Sequence, residues 1–245
     1  MIRAKNGDTV EIAGSYQYRA LYQANPIQRF WHYAKILTIK KYLPPERTDS
    51  ILDVGCGSGV IADFLGDFAA HVVGIDINPA SIEFASRTFG RENVVFHRQL
   101  VDAPMPVPQP VDKIYCLELI EHIHEPQAEK MLGEFRSVLK PGGKVFLTTP
   151  NYHSLWPVIE WAMDRSGRFP TMADDQHVAF YHRRKLAALC TAGGFDVEVL
   201  ASINFVAPWL APLSWALAER LFAWESRSPF TPGSILVCVL QRKGM

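Results

Sequence analysis

Apolar positions along the chain follow two rhythms. Short continuous runs alternate with longer stretches in which apolar residues recur at helical spacing. The short runs are ILDV (Ile51 to Val54), HVVGID (His71 to Asp76), NVVFH (Asn93 to His97), VDKIYCLEL (Val111 to Leu119) and KVFLTTP (Lys144 to Pro150). Two more follow, around Phe195 to Ala201 and at SILVCVL (Ser234 to Leu240). Each is the length of a buried strand. Between them, Gln28 to Leu43 predicts a helix that stops at Pro44-Pro45. Val60, Ile61, Phe64, Leu65 and Phe68 form a helical stripe, as do Ala128, Met131, Leu132, Phe135, Val138 and Leu139. Pro79 opens another helix, with Asn78 placed to cap it. A late helix around Arg183 to Thr191 stops at Gly193-Gly194. Strands alternating with helices predict βαβ units: a doubly wound α/β fold with a mostly parallel seven-stranded sheet and helices on both faces.

The rhythm breaks after Asn151. Residues 152–176 carry tryptophans and no strand signal, and a second apolar, tryptophan-rich stretch follows the strand at Phe195. The chain thus divides into one domain with four parts: an N-terminal helical cap (1–46), a core (47–150), an apolar lid insertion (151–182) and the rest of the sheet with an apolar elaboration (183–245). Val199 to Ala218 is uncharged and about long enough to span a bilayer. Pro208 and Pro212 interrupt it, so it reads as strand plus a buried or interfacial segment, not a span.

Composition narrows the classes. With 25 Lys+Arg against 25 Asp+Glu, the chain lacks the positive charge that phosphate neutralisation requires, which argues against a nucleic-acid partner. Cys56, Cys116, Cys190 and Cys238 are scattered without a CxxC, so neither a zinc site nor a disulfide framework is expected. Their low density fits a reducing, cytoplasmic setting. MIRAKNGD has no apolar core, so no signal peptide is expected.

The candidate chemistry begins at Leu52-Asp53-Val54-Gly55-Cys56-Gly57-Ser58-Gly59, where a strand meets three alternating glycines and then a helix. The glycines let a ligand approach the backbone, and the helix start offers free N–H groups. A dinucleotide loop reads G-x-G-x-x-G, whereas here Val60 stands where its third glycine belongs. That spacing suits a nucleoside joined to an amino acid, without phosphate. Asp76, at the end of the next strand, is placed to accept hydrogen bonds from ribose hydroxyls.

LDVGCGSG, VVGIDINP and LKPGGKVFLTTPN together resemble the class I S-adenosylmethionine-dependent methyltransferases over about Ile51 to Asn151. The resemblance implies a Rossmann-like methyltransferase fold and a cofactor site built from Asp53, Gly55, Cys56, Gly57, Gly59, Asp76, Ile77, Leu117 and Glu118. Many members place an acid after the third strand to contact adenine. Here that position holds Gln99 or Leu100, and Asp102, slightly further on, is the cofactor-binding acid the resemblance implies there.

Glu118-Leu119-Ile120-Glu121-His122 is an E-x-x-E-H motif, which is similar to that of ubiquinone-pathway O-methyltransferases and of small-RNA 2′-O-methyltransferases. In the RNA enzymes the two glutamates, the histidine and a distal histidine bind a divalent metal; the distal candidate here is His177. The resemblance therefore implies Glu118, Glu121 and His122 as catalytic, and Glu118, Glu121, His122 and His177 as ligands of Mg²⁺ or Mn²⁺. The competing reading is a metal-free hydrogen-bond scaffold. His124, His153 and His182 are expected at the surface or in packing.

Five of the six tryptophans (Trp156, Trp161, Trp209, Trp215 and Trp224) follow Asn151, where the family places acceptor-binding elaborations. They read either as walls of an apolar acceptor pocket, with Trp156 or Trp161 over the acceptor, or as a subdomain core. The expected function is O-methylation of a small apolar or lipid-linked hydroxyl, with peripheral membrane contact through a helix at Ser154 to Asp164. An RNA 2′-O-methyltransferase and a non-catalytic cofactor-binding subunit are the alternatives.

Overall fold

The structure, a computed structural model, describes residues 13–165, 177–227 and 232–244. Helices α1 (Tyr16–Tyr22) and α2 (Pro26–Tyr42) precede an alternation of strands and helices: β1 (Ser50–Val54), α3 (Val60–Gly66), β2 (His71–Asp76), α4 (Pro79–Phe89), β3 (Val94–Arg98), β4 (Val111–Leu117), α5 (Glu125–Val138) and β5 (Leu139–Pro150). Then come α6 (Trp156–Arg165), α7 (Arg183–Ala192), β6 (Phe195–Ile203), α8 (Ala207–Leu210), α9 (Trp215–Glu225) and β7 (Ile235–Arg242).

The strands form one seven-stranded sheet in the order β3-β2-β1-β4-β5-β7-β6. Neighbours from β3 to β5 pair in parallel, while β7 runs antiparallel to both β5 and β6. The mostly parallel doubly wound fold is the one expected. Alternate side chains along each strand point to opposite faces. Ile51, Tyr115, Phe146 and Val237 pack with Phe30 and Ile39 of α2, Leu65 of α3 and Phe222 of α9. Leu52, Ile114, Leu147 and Leu236 pack on the other face with Met131 and Phe135 of α5 and Leu189 of α7. With both faces covered, the central strands carry continuous apolar runs, and Ile235 to Leu240 of β7 is buried at every position.

Several boundaries differ from the expectation for local reasons. Helix α2 begins at Pro26 because Asn25 caps it, its side chain accepting the Gln28 N–H at 3.1 Å. Strand β4 stops at Leu117, two residues early, because Glu118 takes a left-handed φ of 51°. Strand β5 starts at Leu139, which pairs with Val111 beyond a register shift. The uncharged run Val199–Ala218 is divided among β6, α8 and the start of α9. Among the described residues no helix is long and apolar enough to cross a membrane. Part of the N-terminal cap (1–12) and part of the lid (166–176) lie outside the described residues.

Candidate functional site

The parallel strands end together, and the loops leaving β1, β2 and β4 meet α1 and α2 there. The glycine loop turns sharply: Gly55 has φ 73° and Gly57 φ 50°, a region side-chain-bearing residues avoid. Gly55 and Cys56 donate their N–H groups to the Ile75 carbonyl at 2.8 and 2.9 Å, fixing the turn to β2. Gly57 N–H donates to Asp76 Oδ2 at 2.9 Å, and Asn78 N–H to Asp76 Oδ1 at 2.8 Å. Burial still holds the Asp76 carboxyl above its usual range, against those N–H donors. A Cβ on Gly57 would collide with the Gln17 amide. Gly59 answers to packing: its Cβ would come within 2.8 Å of the Ala85 Cβ.

Gly55, Cys56, Asp53 and Leu117 border a cleft, and Lys35 and His32 of α2 close its other side. Asp53 is buried, its Oδ2 has no hydrogen-bond partner, and its carboxyl is pushed up to about 8, by burial first and then by the Asp76 charge. A buried orphan carboxylate oxygen beside a cleft is what a ligand with donor groups would satisfy. The left-handed glycines, this oxygen and the Lys35 cation therefore fit the amino-acid end of S-adenosylmethionine. Ile77 is exposed, and its carbonyl accepts from Arg98 Nε at 3.1 Å. Asp102 lies in the turn after β3, and Leu100 is exposed.

The E-x-x-E-H motif does not converge as one set. After Glu118 the chain makes one 3-10 turn, Ile120–His122, which swings Glu121 and His122 to one side. The ligand atoms of Glu121, His122 and His177 lie within 4.8 Å of one another. Glu118 is outside that group: its Oε1 accepts from the Thr148 hydroxyl at 2.9 Å, and its Oε2 lies 3.6 Å from Lys35 Nζ. The structure thus brings together three of the four expected ligands and turns the fourth toward the cleft. Glu121 is only 1 % exposed, and Thr149 donates to its Oε2 at 2.9 Å. Its carboxyl is pushed to about 8, chiefly by burial and then by the Glu118 charge, with His177 opposing.

His177 follows directly on 166–176, and Val178 and Ala179 donate their N–H groups to the Glu121 carbonyl at 2.9 and 3.1 Å. Its Nδ1 lies 2.6 Å from Glu160 Oε1 and 2.8 Å from the Tyr152 hydroxyl. Burial alone would lower its pKa, but the Glu160 hydrogen bond and the surrounding glutamates carry it upward. Two imidazoles and one carboxylate make a donor set that suits a divalent cation such as Mn²⁺ better than Mg²⁺, which favours oxygen ligands.

The tryptophans divide. Trp156 is buried, its ring 6.3 Å from that of His177 and 5.7 Å from that of Trp31. Trp215 packs against Phe30 at 5.1 Å, on α2. Trp161, expected as an alternative cover for the acceptor, is 61 % exposed, and Trp209 and Trp224 also face outward. His153 and His182 stack on each other at 4.2 Å, and His124 caps α5. The residues sequence reasoning missed are Gln17, His32, Lys35, Tyr152 and Glu160. The two on α2 carried one faint signal: polar side chains three apart within an apolar helix.

A family model described as a methyltransferase domain matches residues 27–200. Ubiquinone biosynthesis O-methyltransferases are similar: that of Coxiella burnetii is 28% identical over 63% of this chain and 67% of its own length. That of Xylella fastidiosa is 30% identical over 65% of each. The chain thus spans about two thirds of the length of these relatives. Among solved structures, an S-adenosylmethionine-dependent methyltransferase from Mesorhizobium loti superposes with TM-score 0.64 at 16% identity, covering 85% of this chain and 98% of its own.

Proposed function

Because the chain belongs to the class I S-adenosylmethionine-dependent methyltransferases, we propose that it methylates the hydroxyl oxygen of a small apolar or lipid-linked acceptor. The observation that carries this reading is the Glu121–His122–His177 cluster, one turn beyond the Leu117 wall of the cofactor cleft. The hydroxyl acceptor is also supported by the relatives' name as O-methyltransferases.

S-adenosylmethionine supplies a methyl group on an electrophilic sulfonium. The chain's contribution is to hold and orient. The Gly55–Gly57 turn keeps the backbone low enough for close approach, Asp76 stands at the ribose position, and Asp53 and Lys35 offer an acceptor and a cation to the amino-acid end. An acceptor hydroxyl must lose its proton as its oxygen gains the methyl group. Without a metal, Glu121, His122 and His177 provide bases for that proton; the same atoms would alternatively hold a divalent cation, which would polarise the hydroxyl so that its proton leaves to solvent. Glu118, paired with Lys35, links the cleft to this cluster. The lipid-linked class is supported by apolar side chains around the insertion: Trp156 inside, and Leu155 just before α6 with Val158 and Trp161 on it outside. Arg165 beside Trp161 gives that outer face a cation for anionic headgroups.

The test is methyl transfer from labelled S-adenosylmethionine to a prenylated phenol in mixed micelles and, in parallel, to a small RNA, each with Mn²⁺ or with chelator. Label in the phenol, lost with chelator, is expected. Label in the RNA alone would overturn the acceptor class. No transfer to either would favour a cofactor-binding subunit.

A further inference from the structure

We propose that Glu160 and Tyr152 are positioning residues that hold His177 as its Nδ1–H tautomer and present its Nε2 to Glu121 and His122. The inference rests on the reading of Glu121, His122 and His177 as a cation site, but it concerns atoms whose arrangement is set without any ion.

Three polar atoms form a closed triangle: His177 Nδ1 to Glu160 Oε1 at 2.6 Å, the Tyr152 hydroxyl to the same Oε1 at 3.0 Å, and the hydroxyl to Nδ1 at 2.8 Å. An ionised carboxylate only accepts, so both neighbours must offer it protons. A bare Nδ1 lone pair facing a carboxylate oxygen at 2.6 Å, with no proton between them, would be repulsive. Nδ1 therefore carries a hydrogen, and in the neutral ring Nε2 keeps the lone pair. The ring's remaining nitrogen is then the one free to serve the cluster with Glu121 and His122.

Burial makes the contact matter. Glu160 is 3 % exposed and His177 7 %. A carboxylate so far from water is costly unless it is hydrogen-bonded, and among the described residues this histidine and this tyrosine both bond its Oε1. Helix α6 is built to deliver it: Trp156 and Glu160, four residues apart, both face His177, while Val158 and Trp161 face outward. The backbone bonds from Val178 and Ala179 to the Glu121 carbonyl fix where His177 enters. They leave its ring free to turn; Glu160 stops that rotation. A carboxylate on the far nitrogen of a metal-binding histidine both fixes the ring and raises its basicity.

The experiment uses the full chain, with Mn²⁺ calorimetry and, separately, ¹⁵N spectra of His177 in metal-free protein above its titration. Wild type should show Nδ1 protonated. In Glu160→Leu the Tyr152 hydroxyl is left to donate to Nδ1, and the proton should move to Nε2. Glu160→Gln, nearly the same size, keeps the fold and should weaken Mn²⁺ on the order of 10- to 100-fold. A wild-type spectrum with Nε2 protonated overturns the proposal, as does a folded Glu160→Leu with an unchanged spectrum and unchanged Mn²⁺ affinity. Wild type that binds no Mn²⁺, yet shows the tautomer change in Glu160→Leu, sinks the cation reading while the positioning role stands.

Discussion

Asp53 and Asp76 lie near the ends of adjacent strands, close enough for the Asp76 charge to act on Asp53, and they respond differently to substitution. Asp76 accepts two backbone N–H groups, and on the proposed ribose contact Asp76→Ala should weaken S-adenosylmethionine binding by about 1–3 kcal/mol in calorimetry, with the fold checked by circular dichroism. Asp53 has no partner on Oδ2, and its carboxyl is moved from 3.8 to about 8. Between those values the folded chain keeps a proton that the unfolded chain has released. Unfolding free energy should therefore fall as pH rises across that window and level off above it; Glu121, also raised to about 8, adds to the same slope. Asp53→Asn should flatten the decline in denaturant titrations of the cofactor-free protein. The glycine loop, Asp76 and E-x-x-E-H were legible because each is a local spacing with a chemical reason. Lys35 and Glu160 were not. One lies in a helix whose apolar spacing does not say where its lysines point, and the other meets His177 across 17 residues with no fixed spacing. The same limit explains Glu118: the motif names it a ligand, but only its left-handed backbone reveals that it faces Lys35.

At the scale of elements, α6 has an inner and an outer face that make opposite predictions. Trp156→Ala removes a buried ring beside His177 and should cost about 3–5 kcal/mol in thermal or denaturant unfolding. Trp161→Ser, on the exposed face, should leave stability within about 0.5 kcal/mol while reducing sedimentation with anionic liposomes. Equal sedimentation of Trp161→Ser and wild type would remove α6 from any lipid contact. Existence and type of the elements were readable because a strand buried on both faces and a helix buried on one leave different apolar periods. Ends were less so: β4 stops where one residue turns left-handed, and α2 starts where an asparagine caps it. The second tryptophan-rich stretch gave no period, since Pro208 opens the short α8 and Pro212 falls between it and a separate α9.

For the whole molecule, the alternation predicted the layers but not the order of the last strands, because a local apolar pattern says nothing about which neighbours a strand will pair with. Strand β7 lies between β5 and β6 and is paired on both sides. Val237→Pro would remove a ladder donor from this interior strand and should abolish cooperative unfolding, monitored by tryptophan fluorescence. The position of β7 also sets an order of events during synthesis. Chain order makes β5 first, then β6, and β7 only after α8 and α9, yet the sheet needs β7 in place before β6 can join it at all. Until then a growing chain carries an unmatched edge on β5 and a stray strand with nothing beside it, a form prone to stick to its copies. A free peptide copying residues 235–242, added during refolding from denaturant, should compete for that gap and slow the return of native signal. The same peptide added to folded protein should find the gap closed.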